Sequence, residues 1–318
     1  MLEIKNLSKS FSDIKVLDDI SCTIDSGKLV ALLGRNGSGK TTFLKCISNI
    51  MNTDYGDINY NGSNFLFLND KANIFSDLTI LNNLKCILRL YNQDFSVENY
   101  KKYLVLLELK EFENLPLKYL SKGNIQRNKL LIALSLSWNY LLIDEPFTNL
   151  DDNAQNIFRD LFINLKSEHK TIIFSTHNFK YVSEICDESI KLENGKIAQI
   201  GTPEEIYNNP NSIYVANRLG SPKINILDKS SINTSSPNQA SQLGLRPEHI
   251  KLGQGELIGS IKTIESLGAE TVVELEYNGL EILSLFQGLF QGERGDEINF
   301  AIDNSKVLFF NDQGVSVQ

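Results

Sequence analysis

Apolar residues run unbroken from Leu29 to Leu33, and a short continuous run of this kind predicts a strand covered on both faces. The segments Tyr140–Ile143 and Thr171–Phe174 repeat the pattern, with a helical stretch near 153–167 between them. Helical spacing also follows the first run after a Gly-rich turn, from Thr42 to Ile50. Residues 1–33 alternate apolar and polar positions in short strands, Leu2–Lys5 and Val16–Ile24, broken at Ser26-Gly27. Residues 71–137 are mostly helical in pattern, with apolar spacing through Tyr103–Leu109. Buried strands alternating with helices predict a doubly wound α/β domain.

The pattern changes near residues 217–241, where Asn233–Ser241 has no periodicity and reads as a linker. Beyond it, Thr271–Tyr277 and Leu280–Leu285 flank Asn278-Gly279, a strong hairpin signal. Asp296–Ile302 and Lys306–Phe310 continue the strand pattern, so the tail reads as a small all-β domain.

Composition narrows the function. The chain has 318 residues, room for two domains and a large core. Its net charge of −8, from 31 basic and 39 acidic residues, argues against nucleic acid as the main partner. No apolar run approaches the roughly 18 residues of a membrane span, and the N-terminus lacks a signal peptide's apolar core, so a cytosolic protein is expected. Cys22, Cys46, Cys86 and Cys186 are scattered among apolar neighbours without a CxxC pair and read as buried reduced thiols.

Between the first strand and the first helix lies Gly34-Arg35-Asn36-Gly37-Ser38-Gly39-Lys40-Thr41-Thr42. Strand, Gly-rich turn and helix start are the context of a phosphate-binding P-loop. The glycines let backbone N–H groups converge on an anion, and the helix dipole favours negative charge there. Lys40 would neutralise the β/γ-phosphates, and the Thr41 hydroxyl would ligate Mg²⁺. Gly34, Asn36, Gly37, Ser38, Gly39, Lys40, Thr41 and Thr42 are therefore the candidate nucleotide-binding residues.

Four further runs specify the machine. Leu120-Ser-Lys-Gly-Asn-Ile-Gln-Arg127 precedes a strand ending in Asp144-Glu145-Pro146; Asp151 and Ser175-Thr176-His177 follow. With them the chain resembles the ATP-binding subunits of ABC transporters over essentially its whole length. The resemblance implies an α/β P-loop NTPase core with antiparallel β and helical subdomains, followed by an OB-like TOBE domain. It implies an ATPase domain over 1–217 (helical subdomain about 71–137), a linker over 218–241 and the β domain over 242–318. By resemblance, Ser121 and Gly123 contact the γ-phosphate held by an opposite protomer, Asp144 orients Mg²⁺, Glu145 positions the attacking water, and His177 senses the γ-phosphate. Phe11 falls where the family stacks an aromatic on adenine, although core packing is an alternative for it. Asp151 matches the D-loop position and also reads as a helix cap.

The chemistry agrees with these roles. A carboxylate beside the Mg²⁺-associated Asp can polarise water in line with phosphorus. An imidazole can donate to the transferred group, and a second helix N-terminus offers donors to the same phosphate. Two departures stand out. Asp70 occupies the slot of the family's Mg²⁺-contacting Gln, with Asn69 beside it, and Lys122-Gly123-Asn124 replaces Gly-Gly-Gln. Asp70 beside intact Glu145 and His177 suggests a heterodimer with a second, more standard ATPase.

Lys196–Tyr207 and Leu219–Asn225 resemble the maltose-type importers of sugars, polyols and glycerol phosphate, and Leu245–His249 and Glu265–Glu270 resemble the entry strands of their C-terminal TOBE domain. Iron and polyamine importers, or a weakly hydrolysing regulatory subunit, are the alternatives. The implied partners are a second ATPase protomer, two permease subunits and, indirectly, a solute-binding protein. These would hold the chain peripherally at the cytoplasmic face of the cell membrane. The permease would dock beside residues 70–90, with Phe75 and Leu78 as candidate contacts.

Overall fold

The computed structural model describes residues 1–68, 75–232, 234 and 236–317. They form two compact units, Met1–Pro203 and Glu204–Gln318.

In the first unit, β1 (Leu2–Phe11), β2 (Ile14–Ile24) and β4 (Tyr55–Asn59) make an antiparallel sheet in the order β2-β1-β4. The six-stranded sheet has the order β5-β6-β7-β3-β8-β9. Its strands are β3 (Leu29–Leu33), β5 (Phe65–Leu68), β6 (Tyr140–Asp144), β7 (Thr171–Thr176), β8 (Glu188–Glu193) and β9 (Lys196–Gly201). All pairings are parallel except β8–β9. Every residue of β3 and β7 is buried, the reason Leu29–Leu33 and Ile172–Phe174 run apolar without alternation.

Helix α1 (Lys40–Ile47) supplies Phe43, Leu44 and Ile47 to a core that also holds Ile4 and Leu7 of β1 and Leu142 and Ile173 of the large sheet. The predicted helical region contains α2 (Ile80–Leu90), α3 (Val97–Leu106) and α4 (Lys122–Ser135). Two more helices flank β7: α5 (Asp152–Ser167) and α6 (Phe179–Ile185). Because β6, β7 and β3 are neighbours, the segments leaving their carboxyl ends meet in one crevice, the usual ligand position in open α/β sheets.

The division falls after the first residue of α7 (Pro203–Asn208), and α8 (Ile213–Ala216) follows in the second unit. Then come β10 (Asn225–Asp228), β11 (Gln242–Leu245), β12 (Ile250–Ser266), β13 (Glu270–Tyr277), β14 (Leu280–Gln287), β15 (Glu297–Ile302) and β16 (Leu308–Phe310). They form antiparallel sheets ordered β10-β11-β16 and β14-β13-β12-β15. The predicted hairpin is present. Tyr277 pairs with Leu280 across Asn278-Gly279, both at positive φ, as a tight two-residue turn requires.

The boundary and the linker differ from expectation. Residues 204–217 cluster with the β unit, because the buried Arg246 guanidinium donates to the carbonyls of Tyr207, Ala216 and Leu219 at 2.7–3.2 Å. The stretch 218–241 contains β10, paired with β11 from Asn225↔Leu245 to Asp228↔Gln242. Asn225 in this strand is polar and gives the stretch no continuous apolar run. The Asn225 amide is buried, donating to Leu245 and Leu283 carbonyls and accepting the Leu283 N–H.

All four cysteines are free; Cys22 and Cys46 are buried, whereas Cys86 and Cys186 are only half-buried. Among the described residues no helix is long and apolar enough to cross a membrane.

Candidate functional site

The Gly-rich turn leaves β3 and enters α1 at Lys40, two residues before the helical spacing begins in the sequence. Gly39 is the N-cap at φ +102°, and no side chain caps the helix, which leaves its first N–H groups for an anion. A Cβ on Gly39 would lie 2.8 Å from Leu17 Cδ2 and 2.9 Å from the Val16 carbonyl oxygen. On Gly34 it would lie 2.2 Å from Ser38 Oγ. Gly37, at φ +83°, faces open space. Ser38 is buried and its Oγ has no hydrogen-bond partner.

Lys40 is only 6% exposed. Its ammonium donates to the Gly34 and Arg35 carbonyls at 2.8 and 3.0 Å and lies 3.8 Å from Glu145 Oε1. Burial pulls its pKa below the ordinary lysine value, opposed by the nearby Glu145 and Asp144 carboxylates. An orphaned hydroxyl, an uncapped helix start and a buried cation resting on carbonyls fit a bound phosphate chain. Thr42 follows in the first turn of α1.

Asp144 ends β6, beside Ser175 of β7 in the sheet register. Thr41 Oγ1 donates to its Oδ2 at 2.7 Å, and Ser175 Oγ donates to its Oδ1 at 2.5 Å. Among the described residues no three His, Cys, Asp or Glu side chains gather to hold a metal. One hydroxyl with one carboxylate is the sparse oxygen set that suits Mg²⁺ when substrate phosphates complete its shell. Asp70, the third expected ligand, and Asn69 lie outside the described residues.

Glu145 holds a left-handed backbone, φ +48°, which costs a non-glycine residue about 1–3 kcal/mol and concentrates at functional sites. Its carboxylate approaches His177 Nδ1 at 3.2 Å and accepts from Thr148 Oγ1 at 3.4 Å. Its N–H donates to Ser175 Oγ at 3.0 Å, and its carbonyl accepts from Gln126 Nε2 at 3.2 Å. Asn36, Glu145, Thr148 and His177 line one open cleft of about 470 Å³ with Lys122, Gln126 and Lys129 of α4.

Ser121 is the N-cap of α4, its exposed side chain accepting the Asn124 N–H at 3.2 Å. Gly123 has a reason for being glycine within its own chain: a Cβ there would lie 2.8 Å from the Asn149 carbonyl oxygen. Asp151 is the N-cap of α5, accepting the Ala154 N–H at 2.7 Å. It also accepts from Arg127 at 3.4 Å, and Arg127 in turn pairs with Glu108 at 2.8 Å. Phe11 is 45% exposed at the end of β1, 5.9 Å below the Lys9 ammonium, which removes the core-packing alternative.

The structure therefore brings Lys40, Thr41, Asp144, Glu145 and His177 together. Sequence reasoning missed Ser175, Gln126, Arg127 and Thr148. Ser175 stands beside His177 in the Ser175–His177 run, and Gln126-Arg127 closes the Leu120–Arg127 run, but their contacts depend on strand pairing and helix approach.

The ABC transporter family model matches residues 17–148, and the TOBE domain model matches residues 243–310. The sulfate/thiosulfate import ATP-binding protein CysA of Synechocystis sp. is 33% identical, covering 86% of this chain and 83% of that protein. The CysA protein of Pseudomonas aeruginosa is 32% identical, covering 89% of each. A solved ATP-binding subunit of an ABC transporter is 28% identical, with a TM-score of 0.59 over 65% of this chain and 91% of its own. A dimeric ATP-binding cassette bound to ADP and Pi, 23% identical, shares the fold at a TM-score of 0.57 over 64% of this chain and 99% of its own.

Proposed function

Because the chain belongs to the ATP-binding proteins of ABC transporters, we propose that it is the ATP-hydrolysing subunit of an importer for a small oxyanion of the sulfate class. The observation that carries the hydrolytic reading is the convergence at Asp144-Glu145. The metal-type hydroxyl and carboxylate stand on one side, and Glu145 with His177 and Lys40 on the other.

Lys40 and the N–H groups at the start of α1 would bind the β/γ-phosphates. Thr41 and Asp144 would hold Mg²⁺, which when bound supplies charge neutralisation across the phosphate oxygens. Glu145 would accept a proton from water aimed at the γ-phosphorus, and His177 would donate to the departing phosphoryl group. Ser121 and the start of α4 would close the site of a second protomer. Two permease subunits would anchor the pair at the cytoplasmic membrane face, with a solute-binding protein delivering the cargo.

The oxyanion reading is supported by the import function in the names of the relatives, at 32–33% identity over most of both chains. The competing sugar or polyol reading rests on the Leu219–Asn225 segment. In this fold that segment has structural work, because Leu219 accepts from Arg246 and Asn225 staples β10 to β14.

Two measurements test the proposal. Purified alone, the chain should hydrolyse ATP, and Glu145→Gln should abolish turnover while leaving nucleotide binding intact. An inactive wild-type chain regaining turnover with a second ATPase would favour the heterodimer. Cells lacking the chain should lose uptake of labelled sulfate; loss of labelled sugar uptake instead would overturn the oxyanion assignment.

A further inference from the structure

We propose that Gln126 is a positioning residue that fixes the backbone of Glu145 and thereby ties the start of α4 to the hydrolytic carboxylate. The inference rests on the hydrolytic reading given above. Glu145 keeps φ +48° with its peptide held from both sides. Ser175 Oγ takes its N–H at 3.0 Å, and Gln126 Nε2 donates to its carbonyl at 3.2 Å. The first anchor belongs to the metal side of the site, since Ser175 also donates to Asp144 at 2.5 Å. The second belongs to α4.

Gln126 is only 8% exposed, and its bond to the Glu145 carbonyl is partly buried. It lies five residues beyond Ser121, about 7.5 Å along one continuous helix. The next residue, Arg127, reaches Asp151 at the head of α5. Adjacent residues of α4 thus hold the peptide of the carboxylate and the cap of the following helix. A shift of the Ser121 end, caused by engaging a partner's nucleotide, would be delivered to the Glu145 carbonyl through a rigid element. Gln126 touches no reacting atom; it acts through Glu145.

The test compares steady-state ATP hydrolysis by the full chain with that of Gln126→Leu, which keeps the volume and removes the donor. Misplacing a reacting group lowers turnover on the order of 10- to 100-fold, and that loss is expected in kcat. KM for ATP and affinity for a fluorescent ATP analogue should stay within about threefold. Gln126→Glu, an acceptor in the same shape, should show the same kcat loss and serves if the leucine variant fails to fold. In a Glu145→Gln background, steady-state turnover is lost, and Gln126→Leu should leave the residual slow hydrolysis in single-turnover measurements unchanged, because nothing is left to position. A raised KM with unchanged kcat, wild-type turnover in Gln126→Glu, or a loss that multiplies onto Glu145→Gln would overturn the proposal. Absent turnover in the wild type both alone and with a second ATPase, or turnover surviving Glu145→Gln alone, would instead sink the hydrolytic reading itself.

Discussion

Gly39 carries two constraints at once: a left-handed backbone and neighbours under 3 Å from where a Cβ would stand. The conformation alone costs an alanine about 1–2 kcal/mol, and the Val16 carbonyl cannot rotate away as a side chain would. Gly39→Ala should therefore lower the denaturation midpoint and weaken ATP binding together, read by thermal melts and nucleotide titration. Gly37→Ala, facing open space, should bear only the conformational cost. Equal clash-level damage at both positions would refute the argument. Burial also pushes the Cys22 thiol up to about 12 and Cys46 up to about 11, from an ordinary value of 9.0. Raised folded values mean that the neutral thiols stabilise the fold fully below pH 9, and that this contribution is lost as pH rises towards 11–12. Iodoacetamide at pH 8 should leave both unlabelled in the native protein and modify both in denaturant, as mass spectrometry would show. At this scale the glycines, Lys40 and Asp144-Glu145 were legible, because phosphate chemistry demands those residue types at fixed spacing. Ser175 was not, since its importance comes from standing opposite Asp144 across a parallel pair.

Helix α4 illustrates what an element adds. Ser121 is both its N-cap and the residue assigned to a partner's phosphate, and a cap alone is worth about 1 kcal/mol. Ser121→Ala removes both duties, whereas Ser121→Asp keeps a capping oxygen and sets a negative charge where an anion should arrive. The aspartate variant should melt within about 2 °C of the wild type yet lose most turnover. Retained turnover in Ser121→Asp would show that Ser121 is a cap and nothing more. Elements with a clear apolar run or turn signal, such as β3 and the β13–β14 hairpin, could be read directly from the chain. Strand β10 could not, because a buried Asn225 with every amide bond satisfied is indistinguishable in sequence from a solvated linker residue.

For the whole molecule, the division at Pro203 separates chemistry from the β tail. Every proposed site residue, from Phe11 to His177, precedes that division. The first unit has its own core around Leu32, Phe43 and Ile173; the second has another around Leu243, Val273 and Phe300. The sequence placed the boundary at 217 because the composition shifts there. Contacts distant in sequence, Arg246 to Ala216, Tyr207 to Glu248 and Ser212 to Val315, reveal that residues 204–217 belong to the later unit. Units with independent cores fold independently as a rule. A fragment ending at Pro203 should therefore fold cooperatively and bind ATP within about threefold of the full chain, whereas one ending inside β9 should not, since that strand closes the sheet edge. Circular dichroism and nucleotide titration on the two fragments measure both halves of the expectation. An unfolded 1–203 fragment would show that the β tail is needed for the nucleotide site to exist at all.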